Sequence, residues 1–183
     1  ALGEQYASPA GAYFDYLLEL CDRVQERHPG ATIRGLAYRH EQTQKPPRLP
    51  AGKRFPDNFA VLFAPVEDPY LGDWSQPDPG LQATYRDLLE WCRIAPAVYV
   101  WLYPTPYGTG RAMPVGNVRR MVTSVRLAHR AGVRAIFSEE VGSLQGNDFS
   151  ELQVYLFLKL TQNVEADVDA LVREFTDAQY GPA

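Results

Sequence analysis

Short apolar runs bounded by turn residues alternate along this chain with stretches whose apolar residues recur every three or four positions. No other feature narrows the fold so far. Residues 31–38 (ATIRGLAY), 59–66 (FAVLFAPV), 97–104 (AVYVWLYP) and 133–139 (VRAIFSE) have the length and flanking breakers of strands buried on both faces. Ahead of the first run, Tyr13, Phe14, Leu17, Leu18, Cys21 and Val24 keep helical spacing. That helix is predicted to begin at Ser8-Pro9, a capping hydroxyl before a proline, and to end at His28-Pro29-Gly30. Later helices show apolar faces at Leu81, Tyr85, Leu88, Leu89 and Cys92, and again at Val118, Met121, Val122, Val125 and Ala128. Two more follow the last strand, one through Phe149, Leu152, Tyr155, Leu156 and Leu160, the other through Val168, Leu171, Val172 and Phe175. Strands joined by crossovers of this length run parallel, because a hairpin cannot be made that way. The predicted class is α/β.

The connections are asymmetric. Loops returning from helix to strand are short (29–30, 95–96, 131–132), whereas loops leaving a strand are long and polar (39–58, 67–79, 105–116, 140–147). Long loops gathered at the carboxyl ends of parallel strands are where a barrel builds its site, and an open doubly wound sheet places its ligand there too. A closed barrel needs eight strands. The predicted architecture is therefore the C-terminal half, about four β/α units, of a TIM-type (β/α)8 barrel, with residues 1–183 as one portion of a single domain. The other half is expected ahead of Ala1, since the leading helix suits the crossover from a preceding strand; a second copy pairing bare strand edges is the alternative.

Composition removes several classes of function. A net charge of −4 with scattered arginines gives no field for nucleic acid, and no apolar run approaches the roughly 18 residues of a membrane span. The opening Ala1-Leu2-Gly3-Glu4 has neither region of a signal peptide, so it leaves localisation undefined. Cys21 and Cys92 fall in helical patterns as packing thiols. Of the three histidines, His28 and His129 lie on helices apart from His40, so no metal-ligand spacing exists and neither a metal nor a cofactor is predicted. Gly108-Thr109-Gly110-Arg111 lacks the lysine and spacing of a phosphate loop, and no Ser-His-Asp arrangement is visible.

The candidate site residues cluster at strand ends. Tyr38 and His40 share strand parity and suit sugar hydroxyls, with Glu41 placed to orient the imidazole; a packed tyrosine beside a surface histidine is the plainer alternative. Trp101 and Tyr103 also share parity, with Tyr107 in the loop beyond, and together make an aromatic platform for a sugar ring or simply part of the barrel wall. Asp68 stands where a hydroxyl acceptor would stand, or merely begins an Asp-Pro turn. Trp74, in a long loop, is predicted to be exposed as a further candidate, or else simply to cover the barrel rim. Glu139 and Glu140 close the last strand on opposite faces, so only one of them can enter the mouth as a catalytic carboxylate; both are otherwise solvated charges or one pairs with Arg111.

Segments 34–47 (RGLAYRHEQTQKPP), 57–69 (DNFAVLFAPVEDP), 90–104 (EWCRIAPAVYVWLYP) and 166–181 (ADVDALVREFTDAQYG) resemble the bacterial family called domain of unknown function 4838. The resemblance runs the length of the chain. It implies a relative of the α-glucuronidases among barrel glycoside hydrolases, acting on a glycan, including uronic-acid-bearing ones, in a secreted or periplasmic setting. Such enzymes flank the scissile bond with two carboxyl groups. The resemblance implies that the acid lies upstream of Ala1 and that Glu139 or Glu140 supplies the other side. A non-catalytic carbohydrate-binding or scaffold barrel is the rival reading. An aldolase-like or isomerase-like phosphate barrel is disfavoured, because the strands hold no lysine.

Overall fold

The computed structural model describes residues 1–69, 72–104, 118–139 and 149–182. Four strands, β1 (Ile33–Tyr38), β2 (Phe59–Ala64), β3 (Val98–Leu102) and β4 (Ala135–Ser138), form one sheet in sequential order. Every neighbouring pair is parallel, as the crossover lengths require. Each strand falls inside its predicted run. The helices are α1 (Leu2–Gln5), α2 (Gly11–Arg27), α3 (Pro79–Ile94), α4 (Val118–Arg130), α5 (Ser150–Gln162) and α6 (Val168–Tyr180). Asp78 caps α3 by accepting from the Leu81 N–H at 2.9 Å, with Pro79 at the first helical position.

The start of α2 departs from the prediction. Ser8 accepts at its Oγ from the Ala10 N–H at 3.2 Å, but in a turn ahead of the helix, which begins at Gly11. The short α1, which has no apolar spacing to announce it, docks there. A Cβ on Gly11 would stand 2.3 Å from the Leu2 carbonyl oxygen, so only glycine permits the approach.

Sheet register sorts the strand residues onto two faces. One face carries Gly35, Ala37, Val61, Phe63, Val98, Val100 and Leu102, all buried. It packs in a single core with Phe14 and Leu17 of α2, Leu88 and Trp91 of α3, Val122 and Val125 of α4, and Leu156 of α5. Burying each large side chain stabilises the fold by about 1.5–3 kcal/mol, so this helix-covered face dominates the energetics. The other face follows from the row Leu36, Leu62, Tyr99 and Ala135, which pair across all four strands. Arg34, Tyr38, Trp101 and Phe137 share that face by strand alternation. It is open among the described residues, with Leu36 37% and Phe137 55% exposed. Burial on both faces, predicted from the continuous apolar runs, is thus realised in β2, where Ala60 and Ala64 are buried on the open face, while β1 and β3 are buried on the helix-covered face alone. A doubly wound sheet carries helices on both faces; helices on one face and strands in order 1-2-3-4 are compatible with half of a β/α barrel.

The outer edge of β1 is not bare. Its outward Leu36 and Tyr38 N–H groups donate to the Tyr13 hydroxyl at 2.9 Å and to Thr43 Oγ1 at 2.8 Å. Side-chain hydroxyls of this kind blunt an edge that would otherwise recruit another strand. No helix among the described residues is long and apolar enough to cross a membrane.

Candidate functional site

Trp101, Tyr103, Phe137 and Glu139 meet at the carboxyl ends of β3 and β4. The backbone ladder continues past β4 through the Glu139 N–H, which donates to the Leu102 carbonyl at 2.9 Å and holds Glu139 in strand parity. Its carboxylate Oε2 accepts from the Trp101 indole Nε1 at 2.7 Å. The Trp101 and Tyr103 rings stack at 5.4 Å between centroids and 14° between planes, and Phe137 meets Trp101 edge-on at 5.4 Å. Burial, followed by the neighbouring Tyr38 and Glu139, pushes the Tyr103 phenol up to about 12. That hydroxyl therefore stays protonated across the working pH range and can donate to a ligand oxygen. Three predicted site residues, Trp101, Tyr103 and Glu139, are brought together, with Tyr38 in electrostatic reach.

His40 is not on that face. The predicted shared parity with Tyr38 required the strand to continue, but β1 ends at Tyr38 and Arg39 takes a left-handed backbone with φ 56°. A π-helical turn over Arg39–Thr43 follows. It swings His40 towards α3, where the ring Nδ1 lies 2.7 Å from Gln44 Nε2 and the backbone N–H donates to Glu67 Oε2 at 2.7 Å. Gln44 is fully buried, and its carbonyl accepts from the Trp91 indole at 2.7 Å. Gln44 thus orients the imidazole in place of Glu41, which is exposed. The same turn leaves the Arg39 guanidinium 5.5 Å over the Tyr38 ring.

Asp68 is an internal anchor. Buried beneath the loop, it accepts from the Trp74 indole at 2.8 Å and the Thr84 hydroxyl at 2.6 Å. Burial pushes its carboxyl pKa up, while those two hydrogen bonds and the charges of Arg120 and His40 pull it back. Trp74 is 4% exposed, contrary to the prediction, because its N–H finds Asp68 and its ring stacks on Tyr85 at 5.8 Å. Arg120, whose guanidinium pKa is lowered by burial and supported by Asp68 and Asp73, donates from Nη1 to the Tyr103 carbonyl at 3.1 Å. Arg120 therefore underpins the platform from behind, in the field of the buried Asp68.

Tyr107 and Glu140 lie outside the described residues. Sequence reasoning missed Arg39, Arg120 and Phe137. Phe137 was within reach, because it shares parity with Glu139; a left-handed non-glycine such as Arg39 leaves no signal in spacing. Among the described residues no group of His, Cys, Asp or Glu is arranged to hold a metal ion. A groove of about 710 Å³ lies between α2 and residues 52–58, by the amino end of β2, and shares no residue with this cluster.

Fold and site together define an α/β protein whose aromatic and acidic side chains gather at the carboxyl ends of a parallel sheet. The family model described as Domain of unknown function (DUF4838) matches residues 1–183, and the chain belongs to that family. No curated protein and no solved structure matches it.

Proposed function

We propose that this chain is half of a TIM-type (β/α)8 barrel of glycoside-hydrolase type, which binds and cleaves a glycan at the carboxyl ends of its strands. The observation that carries the reading is the Trp101 to Glu139 hydrogen bond at 2.7 Å, set within the Trp101 and Tyr103 stack. Aromatic faces pack against the C–H faces of sugar rings, and a carboxylate fixed beside them is what glycosidic cleavage uses. The indole N–H fixes the orientation of the Glu139 carboxyl group, and in this reading Glu139 serves as base or nucleophile. The general acid then comes from strands that complete the barrel, which also take over the Leu36 and Tyr38 N–H groups now held by hydroxyls. Arg39, with no carboxylate in ion-pair reach among the described residues, suits an acidic sugar such as a uronic acid.

The test is release of sugar by the full natural protein from neutral and uronic-acid-bearing oligosaccharides. Glu139→Gln is expected to lower turnover about 100-fold or more, with KM little changed. Unchanged turnover would remove Glu139 from the mechanism. Glycan binding without turnover in the unaltered protein would instead support a non-catalytic carbohydrate-binding domain.

A further inference from the structure

On the open sheet face Arg34 stands at the amino end of the strands, while Glu139, with Arg39 over the Tyr38 ring, stands at the carboxyl end. Arg34 lies two residues below the row of Leu36, Leu62, Tyr99 and Ala135, and Glu139 lies four residues above it. At strand rise the two levels are about 20 Å apart. The Arg34 guanidinium sits 5.9 Å over the Tyr99 ring, with no carboxylate in ion-pair reach among the described residues. Once further strands close over this face, that guanidinium loses water and needs an anion at its own level, because an unpaired buried charge is costly. A second copy of this chain, related by a twofold axis along the barrel, cannot supply it. Such a pairing sets Arg34 against another Arg34 and leaves both Glu139 side chains at the far end.

We infer that the open face is completed by an unlike set of strands carrying an Asp or Glu opposite Arg34, and not by a second copy of this chain. The inference rests on the half-barrel reading for its architecture and is independent of catalysis. Leu36, Tyr99 and Phe137 supply the apolar surface that the incoming strands cover, and Arg34 sets which strands fit.

Thermal unfolding of the full natural protein tests it. Arg34→Leu leaves the facing carboxylate unpaired, so Tm at pH 7 is expected to fall by roughly 5–10 °C. The loss should shrink towards about pH 4, where the orphaned carboxyl takes up a proton, and Arg34→Lys should keep most of the stability. An unchanged or higher Tm for Arg34→Leu would overturn the inference, since water or a second Arg34 would then face this side chain. A pH-independent loss would overturn it too, because only the contact with the Tyr99 ring would have been removed. Should Arg34→Leu fail to fold, carbodiimide coupling of Arg34→Lys gives the answer by peptide mapping. The new amide must join position 34 to an Asp or Glu outside residues 1–183; a joint to a second copy's Glu139, or none, refutes the idea. Neither arm reads sugar release, so loss of the hydrolase reading and loss of this one are separable.

Discussion

Trp101 does two things with one ring: its face stacks on Tyr103 and its N–H holds the Glu139 carboxylate. Of the chain's three tryptophans, Trp74 and Trp91 are buried and Trp101 is half-buried. A glycan stacked at the strand ends should therefore change the emission of Trp101 rather than that of Trp74 or Trp91. Trp101→Phe keeps an aromatic face but removes the donor, so the emission change on adding glycan is expected to be smaller than in the unaltered protein in fluorescence titration, and turnover to fall as Glu139 loses its orientation. An equal change in both proteins would place the glycan away from Trp101. Asp68 makes a different prediction, about pH. Its folded pKa is raised by burial, so the native state binds its proton more tightly than the unfolded chain does. Stability linked to Asp68 is therefore greatest below the ordinary aspartate range and falls as pH rises through the window between the unfolded and the raised folded value. Asp68→Asn, which does not titrate, should flatten that part of the profile in urea unfolding measured across pH; an equal slope in both proteins would contradict the assignment.

Among the elements, β1 shows most plainly how one residue sets geometry. Gly35 faces α2, and a Cβ there would come within 2.9 Å of Leu17 Cδ1 and 3.0 Å of the Phe59 ring. The helix can lie this close to the strand because nothing projects between them. Gly35→Ala should destabilise the protein by about 1–3 kcal/mol, read as a lower urea midpoint at unchanged m-value. A neutral result would mean that Leu17 and Phe59 repack without cost. The end of β1 matters as much as its middle. Left-handed Arg39 and the π-helical turn send His40 to the helix layer, so the strand contributes Tyr38 and Arg39 to the sheet mouth and lends His40 to α3. The helix layer is tied in the same way at its other end, where Arg126 of α4 donates to the Val164 and Ala166 carbonyls between α5 and α6 at 3.1 and 2.9 Å.

Seen whole, the molecule is a parallel sheet with one face finished and one face open. Its stability comes from the finished face, and its candidate chemistry lies at the rim of the open one, where Tyr38, Trp101, Tyr103 and Glu139 converge. Much of this was legible in the chain. Strands, helices, parallel direction and the shared parity of Trp101 with Tyr103 follow from apolar spacing and crossover length, which act within tens of residues. Trp74 and Asp68 were misplaced or left open for the opposite reason: an indole in a polar loop is buried only because Asp68 and Tyr85 wait beneath it. His40 turned away because of a backbone conformation that residue type does not announce. Spacing along the chain settled which segments become strands and helices, since periodicity and chain reach are local. Which of two apolar sheet faces the helices cover, and which side chains are left facing one another across strand ends, emerged only when distant segments competed for the same surface.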